Sequence, residues 1–379
     1  MAKIDQIEAV SDKLAETTVK MLPHRCLYMR NWNSKCRACL NACGHDAIRR
    51  ELQHIRIDDA LCTSCGACVS ACPASVWLTS APDAGTIVRS AQASAAACGG
   101  NALFMCARDA QATSVDTSRV VVLPCLDYLD EYLLAGLFAY GVKAATLMRC
   151  GCDGCETNGS APRFEQMVDE LRGLFELWGV EGTLRLTSKV PGALVVKHQE
   201  RVASVGQVGR RDAFKDAGNQ VAGFIAQAVG ESLDRRTGKP KKDKDERVVV
   251  RMEERFDVGT YRSARLLKML DRIGTRPRGK TVTSRFWADL AVDESRCRYC
   301  GMCAQNCPTR ALRFAQDDEK RGTLVFQPAK CVGCRLCRDA CLSHAMVYDT
   351  TVKADDLDEG VVKVLYEDKK DPLLGNKMF

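Results

Sequence analysis

Histidine is scarce: five in 379 residues, scattered along the chain. No Ser, His and Asp constellation assembles from them, so hydrolytic triad chemistry has no candidate. No Gly-x-Gly-x-x-Gly follows a strand-like run, which removes the dinucleotide-binding fingerprint. Long apolar runs are missing too. The most apolar stretch, Tyr132 to Met148, falls short of the ~20 residues a membrane helix needs and contains Lys143. It reads as a buried helix running into a buried strand. The opening MAKIDQIEAVSDKLAETTVKML is polar-interleaved and has no apolar h-region, so the expectation is a cytoplasmic chain. A net charge of +7 permits docking on an acidic partner and is too weak to argue for nucleic acid.

What the chain has is cysteine, 22 of them. That is too many for ordinary packing, and disulfide frameworks belong to short secreted chains. Most fall into runs. Near the C-terminus CRYCGMCAQNCP (297–308) is followed by CVGCRLCRDAC (331–341), each Cys-x2-Cys-x2-Cys-x3-Cys. Near the N-terminus CTSCGACVSACP (62–73) is another complete run. Its upstream mate is altered. Cys36-x2-Cys39-x3-Cys43 lacks the Cys expected two residues earlier, the nearby candidate is Cys26, and Gly44 stands where Pro would be usual. Every Cys-x2-Cys except Cys152-x2-Cys155 lies inside such a run, which speaks against a thioredoxin-type site elsewhere. Structural zinc also uses Cys-x2-Cys knuckles, but two consecutive four-Cys runs closed by Pro308 argue against it.

Through residues 26–77 and 297–348 both ends resemble bacterial-type dicluster ferredoxins, so one module occurs twice. In such runs three thiolates hold one 4Fe–4S cluster and the fourth reaches over to the other. The resemblance implies four 4Fe–4S clusters: on Cys26, Cys36, Cys39 and Cys72; on Cys62, Cys65, Cys68 and Cys43; on Cys297, Cys300, Cys303 and Cys341; and on Cys331, Cys334, Cys337 and Cys307. The segments linking the runs, HDAIRRELQHIRIDDALC and TRALRFAQDDEKRGTLVFQPAKC, read as a short helix, a turn and a strand. His45 and His344, each shortly after a cluster Cys, are expected to tune clusters by hydrogen bonding.

The middle reads differently. Residues 101–105, 119–124 and 143–149 are short apolar runs bounded by turn residues, hence buried strands. A helix bearing Leu129, Leu133, Leu134, Leu137 and Phe138 separates the second from the third. Another with Phe164, Val168, Leu171, Phe175 and Trp178 on one face follows. Alternating strands and helices predict a parallel sheet. Cys106, Cys125 and the RCGCDGC loop (Cys150, Cys152, Cys155) then share its C-terminal edge, where α/β folds bind ligands. Residues 95–190 resemble the iron–sulfur delta subunit of methyl-viologen-reducing hydrogenase, through LPC-LDYLDEYLLAGLFAYGVKAATLM-RCGCDGC and the helix after Asn158-Gly159. That resemblance implies a 2Fe–2S cluster and electron passage between partner subunits. The ligands expected are Cys106, Cys125, Cys150 and Cys155. The family's first strand ends in Cys-x2-Cys, and here Asp109 holds the second place, with Cys98 and Cys152 as candidates to replace it.

The expected architecture is α/β and α+β multidomain: two ferredoxin-like dicluster modules flanking a flavodoxin-like parallel-sheet domain. Residues 1–85 comprise an N-terminal helix (apolar at Ile4, Ile7, Val10, Leu14, Met21, Leu22) and a module; 86–232 are the delta-subunit-like domain, with a helix over 211–230. Residues 233–285 are a basic linker and helix (Tyr261, Leu266, Leu267, Leu270, Ile273), whose charges suit either a solvated face or an acidic partner. Residues 286–350 are the second module and 351–379 a tail with one strand-like run, VVKVLY. The functional expectation is an electron-transfer subunit of a hydrogenase- or heterodisulfide reductase-like complex of anaerobic metabolism. Its partners would be redox proteins, a flavoprotein among them, with peripheral membrane association open. The competing class is an enzyme reducing a disulfide or thiol at the central cysteines.

Overall fold

Alternating side chains, not helical ones, build the N-terminal module. In the computed structural model, which describes residues 19–52, 54–79, 82–152, 154–155, 161–195, 261–316 and 322–367, the order is β1 (Val19–Met21), α1 (Leu27–Arg30), α2 (Ala38–Ala42), β2 (Ile48–Glu51), β3 (His54–Ile57), α3 (Ala67–Ala71) and β4 (Trp77–Thr79). β1 runs antiparallel to β4, with Met21 opposite Trp77. Met21 therefore lies in a strand rather than on the expected helix over 4–22, because β4 offers a ladder that outweighs local spacing. Residues 4–18 of that expectation lie outside the described residues. The linking segment is a hairpin, β2–β3, with Ile48 opposite Ile57 and Arg50 opposite Ile55. The expected helix there is corrected: Ile48, Arg50, Ile55 and Ile57 repeat with period two, and Leu52 takes the turn at φ 23°.

The middle continues with α4 (Ala84–Ala97), β5 (Asn101–Cys106), α5 (Ala107–Thr113), β6 (Val121–Leu123), α6 (Glu131–Ala139), β7 (Ala144–Met148), α7 (Ala161–Trp178) and β8 (Thr183–Thr187). Asp83 caps α4 by accepting from the Thr86 N–H at 2.8 Å, and Asp130 caps α6 through Leu133 N–H at 2.8 Å. The parallel sheet is ordered β6-β5-β7-β8. β5 leads by α5 to one side and β7 leads by α7 to the other, so the order reverses between their C-terminal ends. The expected strands are present; β8, whose Thr-Leu-Arg-Leu-Thr alternates, joins them. Phe164, Val168, Leu171, Phe175 and Trp178 of α7 are all buried, as their spacing predicts.

After residue 261 come α8 (Arg262–Ile273), β9 (Thr281–Thr283), β10 (Asp289–Val292), α9 (Met302–Gln305), β11 (Leu312–Gln316), β12 (Gly322–Phe326), α10 (Leu336–Asp339), β13 (Met346–Asp349), β14 (Thr351–Lys353) and β15 (Lys363–Glu367). The linking segment is again a hairpin in place of helix and strand: Leu312 faces Phe326, and Phe314 faces Leu324. β15, the expected VVKVLY strand, pairs with β12 and belongs to this module. α8 packs its Leu266 and Leu270 inward, both 0 % exposed. Its basic side chains divide between the two readings: Lys268 and Arg272 are exposed, whereas Arg262 is 3 % exposed, and beyond the helix Arg276 pairs with Asp271 and Asp358. Trp178 stacks on Trp287 at 6.5 Å between centroids, so the central helix α7 and the stretch before β10 share a core. The helix expected over 211–230, the linker 232–248, Asn158-Gly159 and the final 370–379 lie outside the described residues. Among the described residues no helix is long and apolar enough to cross a membrane.

Candidate metal centres

The cysteine runs are built from left-handed turns. Three residues after the last Cys of each run stand Asp46, Ser75, Arg310 and His344, at φ 49°, 50°, 56° and 52°. Such backbone is costly for residues other than glycine, so its recurrence at all four positions marks one repeated loop. In the three complete runs the second Cys is also flanked on both sides by left-handed residues: Ser64 and Gly66, Tyr299 and Gly301, Gly333 and Arg335. The altered run breaks this rule, since Arg37 has φ −129°. Without a Cys at its first position, the chain has no reason to curl there. Cys26 arrives from the other side instead, 6 % exposed, in one core with Cys39 and Cys72 and against Cys36.

Four sets of thiols result. In the outer N-terminal set, Cys62, Cys65 and Cys68 line a cavity together with Cys43 from the other run. In the outer C-terminal set, Cys297, Cys300 and Cys303 line one with Cys341. Among the described residues no three Cys, His, Asp or Glu side chains converge closely enough for a single metal ion. The thiols stand around a space rather than on a point, which suits a polynuclear guest. The Nε2 of His45, on the wall of the outer N-terminal cavity, is buried without a hydrogen-bond partner and fits a sulfide acceptor there. The inner N-terminal set is Cys26, Cys36, Cys39 and Cys72. The inner C-terminal set is Cys331, Cys334, Cys337 and Cys307.

Burial dominates the protonation of these thiols. It pushes Cys39 up to about 12, Cys72 to about 11, Cys303 to about 12 and Cys331 to about 11, with neighbouring thiolates adding to the rise at Cys39 and Cys303. Opposing it are polar groups near sulfur: the Trp77 indole beside Cys39, the Thr63 hydroxyl beside Cys65, and the Val76 N–H on Cys72 (3.4 Å). Metal loading must therefore displace protons from buried thiols, and the donors stabilise the thiolates that result.

A family model described as the 4Fe-4S dicluster domain matches residues 34–76 and 296–345. The chain carries two 4Fe-4S dicluster domains. No curated protein and no solved structure matches the chain. The N-terminal match begins after Cys26, so that residue stands outside the shared dicluster pattern. Both domains support an iron–sulfur electron-transfer role.

Between the dicluster domains the sheet gathers the remaining cysteines. Cys106 ends β5 and N-caps α5, Cys125 follows β6, and Cys150, Cys152 and Cys155 follow β7, on the edge where the strand order reverses. Asp109, 5 % exposed, joins the loops: its carboxylate accepts from Cys150 N–H at 2.8 Å, and its own N–H reaches Cys106 Sγ at 3.4 Å. Arg149 Nε donates to Cys152 Sγ at 2.7 Å, and Arg108 bonds Cys155 and the Gly151 carbonyl (2.9 Å). Cys98 lies at the other end of β5. It precedes β5 and Cys106 ends it, a strand length of about 16 Å apart. His344 forms a turn through its N–H on the Cys341 carbonyl at 3.1 Å. No local pattern places Asp109, Arg108 or Arg149 beside sulfur, because only tertiary packing brings them there.

Proposed function

We propose that the chain is an electron-transfer subunit of a cytoplasmic oxidoreductase complex, similar to hydrogenase–heterodisulfide reductase assemblies. Its four cysteine sets would hold four 4Fe–4S clusters. Cys106, Cys125, Cys150 and Cys155 would hold a 2Fe–2S cluster in a flavodoxin-like domain. Clusters so bound supply one-electron steps at potentials set by burial and hydrogen bonds to sulfur. The observation that carries the reading is the crossed lining of both outer cavities: three thiols from one run and the last thiol of the other. The central strand order, 2-1-3-4 when counted from β5, supports the flavodoxin-like assignment. All 22 cysteines are free thiols, in keeping with a reducing compartment. Redox proteins, a flavoprotein or hydrogenase subunit among them, are the partners that fit.

Thiol chemistry at the central cysteines finds less support. Burial raises Cys150 and Cys152, and raises Cys106 to about 11, whereas a nucleophilic thiol needs a lowered value. Asp109, in the place of a family cysteine, fastens the Cys150 loop beside Cys106. Anaerobic reconstitution tests the proposal. About sixteen irons are expected on the dicluster domains and about two more on the central set. The central cluster should give a rhombic EPR signal, persisting at temperatures where 4Fe–4S signals broaden, that Cys150→Ser abolishes. An iron count near eight would leave one dicluster domain empty and defeat the reading.

A further inference from the structure

The stretch between Cys26 and Cys36, which makes the first run irregular, is also where the two dicluster domains touch. Asn31, 8 % exposed, donates through Nδ2 to Asn306 Oδ1 at 3.0 Å, and Arg30 Nε donates to the Asn306 carbonyl at 3.2 Å. Asn306 is equally buried and directly precedes Cys307. Lys35 N–H donates to Asp339 Oδ2 at 2.9 Å, between Cys337 and Cys341. Leu336, 0 % exposed, is part of the same apolar core as Cys26, Leu27, Cys39 and Cys72, and Cys334 packs against that core. Tyr261 adds a third contact: its hydroxyl donates to the Pro308 carbonyl at 2.8 Å while Arg25 lies 4.8 Å over its ring. The contacts all fall on the inner sets.

The outer sets have other neighbours. A Cβ on Gly66, between Cys65 and Cys68, would lie 2.8 Å from Tyr128 Cα, so the outer N-terminal loop is pressed onto the segment that follows Cys125. At the opposite end Cys300 is exposed, and the nearest atom facing Gly301 is 3.9 Å away. We propose that Leu27–Lys35 is a docking loop that seats the inner C-terminal set on the inner N-terminal set. The four sets then form one series, with the central cysteines beside one end and the open Cys300 face at the other. The proposal rests on the cluster reading above. It also accounts for the displaced first ligand: a complete run has no room for a loop at that point, and Cys26 releases one.

The test uses the full chain, reconstituted anaerobically and fully reduced, with iron and sulfide measured on every sample. Cys334→Ser is expected to remove the magnetic splitting from the inner N-terminal cluster, and Cys300→Ser to leave it unchanged. Arg30→Ala combined with Asn31→Ala should keep the parent iron content and lose that splitting. If this variant loses iron, Asn306→Ala, on the other side of the contact, is read instead with the same expectation. Unchanged splitting in an iron-replete docking variant, or an effect of Cys300→Ser equal to that of Cys334→Ser, overturns the proposal. A parent chain without iron overturns the cluster reading and this inference with it.

Discussion

Gly66 and Gly301 hold the same place in their runs, just after the second Cys, with left-handed backbone at φ 81° and 69°. One faces the backbone of Tyr128; the other faces almost nothing. The difference runs through both dicluster domains. In the N-terminal one, Arg262 donates to the Val69 and Cys72 carbonyls (3.0 and 3.2 Å) and Arg285 to the Ser70 carbonyl (3.2 Å), which takes up the unsatisfied C-terminal end of α3. These arginines come from the far half of the chain and pair with Asp130, Glu131 and Glu170 of the central domain. The C-terminal domain has the same turns with its outer face open. Local sequence thus sets the ligand loops, while the surroundings, which tune potential and access, come from the rest of the fold.

The largest way to break the contrast is Arg285→Met. Glu131 is 0 % exposed; burial works to raise it, and Arg285 and Arg262 outweigh burial to hold it below the ordinary carboxylate value. Removing Arg285 leaves that charge uncompensated, at a cost of about 3–5 kcal/mol. The stability that Glu131 contributes is present above the unfolded carboxylate value and is lost as pH falls through its lower folded value. The half-exposed Lys363–Asp289 pair of the C-terminal domain offers the control, where Lys363→Met should cost ~1 kcal/mol or less. Anaerobic denaturant titration compares the two. Equal losses would mean that the N-terminal clamp carries no special weight.

How much of this was legible beforehand follows from the range of each interaction. The ligand loops are local, so spacing alone marks the complete runs, and Cys26 is the nearby candidate for the altered one, in one core with Cys39 and Cys72. The parallel sheet is legible because Leu103–Met105 and Ala145–Met148 are short stretches between turns, apolar but for Thr146. The hairpins are hard to read locally because their alternation, with Arg49 and Arg313 as its outward members, runs only four or five residues and is too short to separate from a helical turn. β8 carries an alternation too, Leu184 and Leu186, but over only five residues. The basic stretch around α8 could not be interpreted at all without its acids, which sit on α6 and α7 more than a hundred residues earlier. The Asn31–Asn306 contact is likewise invisible to any local pattern.

A smaller, sharper comparison is Gly66→Ala against Gly301→Ala. Each puts a Cβ on left-handed backbone and should cost about 1–2 kcal/mol. Only at Gly66 does that Cβ also meet backbone, 2.8 Å from Tyr128 Cα, so the cluster loop or the Cys125–Tyr128 segment must move. Gly66→Ala is expected to lose more stability and to shift the EPR signal of the outer N-terminal cluster, while Gly301→Ala leaves the spectrum of its own cluster in place. Indistinguishable spectra for both variants would show that the close approach of Tyr128 is not felt at the cluster.

The smallest effect concerns the last thiol of each domain's second run, Cys72 and Cys341. Cys72 is deep in the protein, and burial carries it to about 11 against the help of the Val76 and Ala74 N–H groups and Arg262. At Cys341 burial works in the same direction but is outweighed by the Ser343 hydroxyl and the N–H groups of Ala345, Met346 and Ser343, so the thiol falls below its ordinary value of 9.0. Thiolate, not thiol, is what an alkylating reagent attacks. In chain freed of iron by anaerobic chelation, pulse labelling at pH 8 should therefore mark Cys341 well before Cys72. Raising the pH through 11 should close the gap, because Cys72 ionises last. Ser343→Ala removes one donor, worth about 1 kcal/mol, and should slow Cys341 labelling about fivefold while leaving Cys72 unchanged. Equal rates at pH 8 would mean that the iron-free chain does not hold these turns. In that case the left-handed loops after Cys72 and Cys341 would owe their geometry to the metal and not to the sequence.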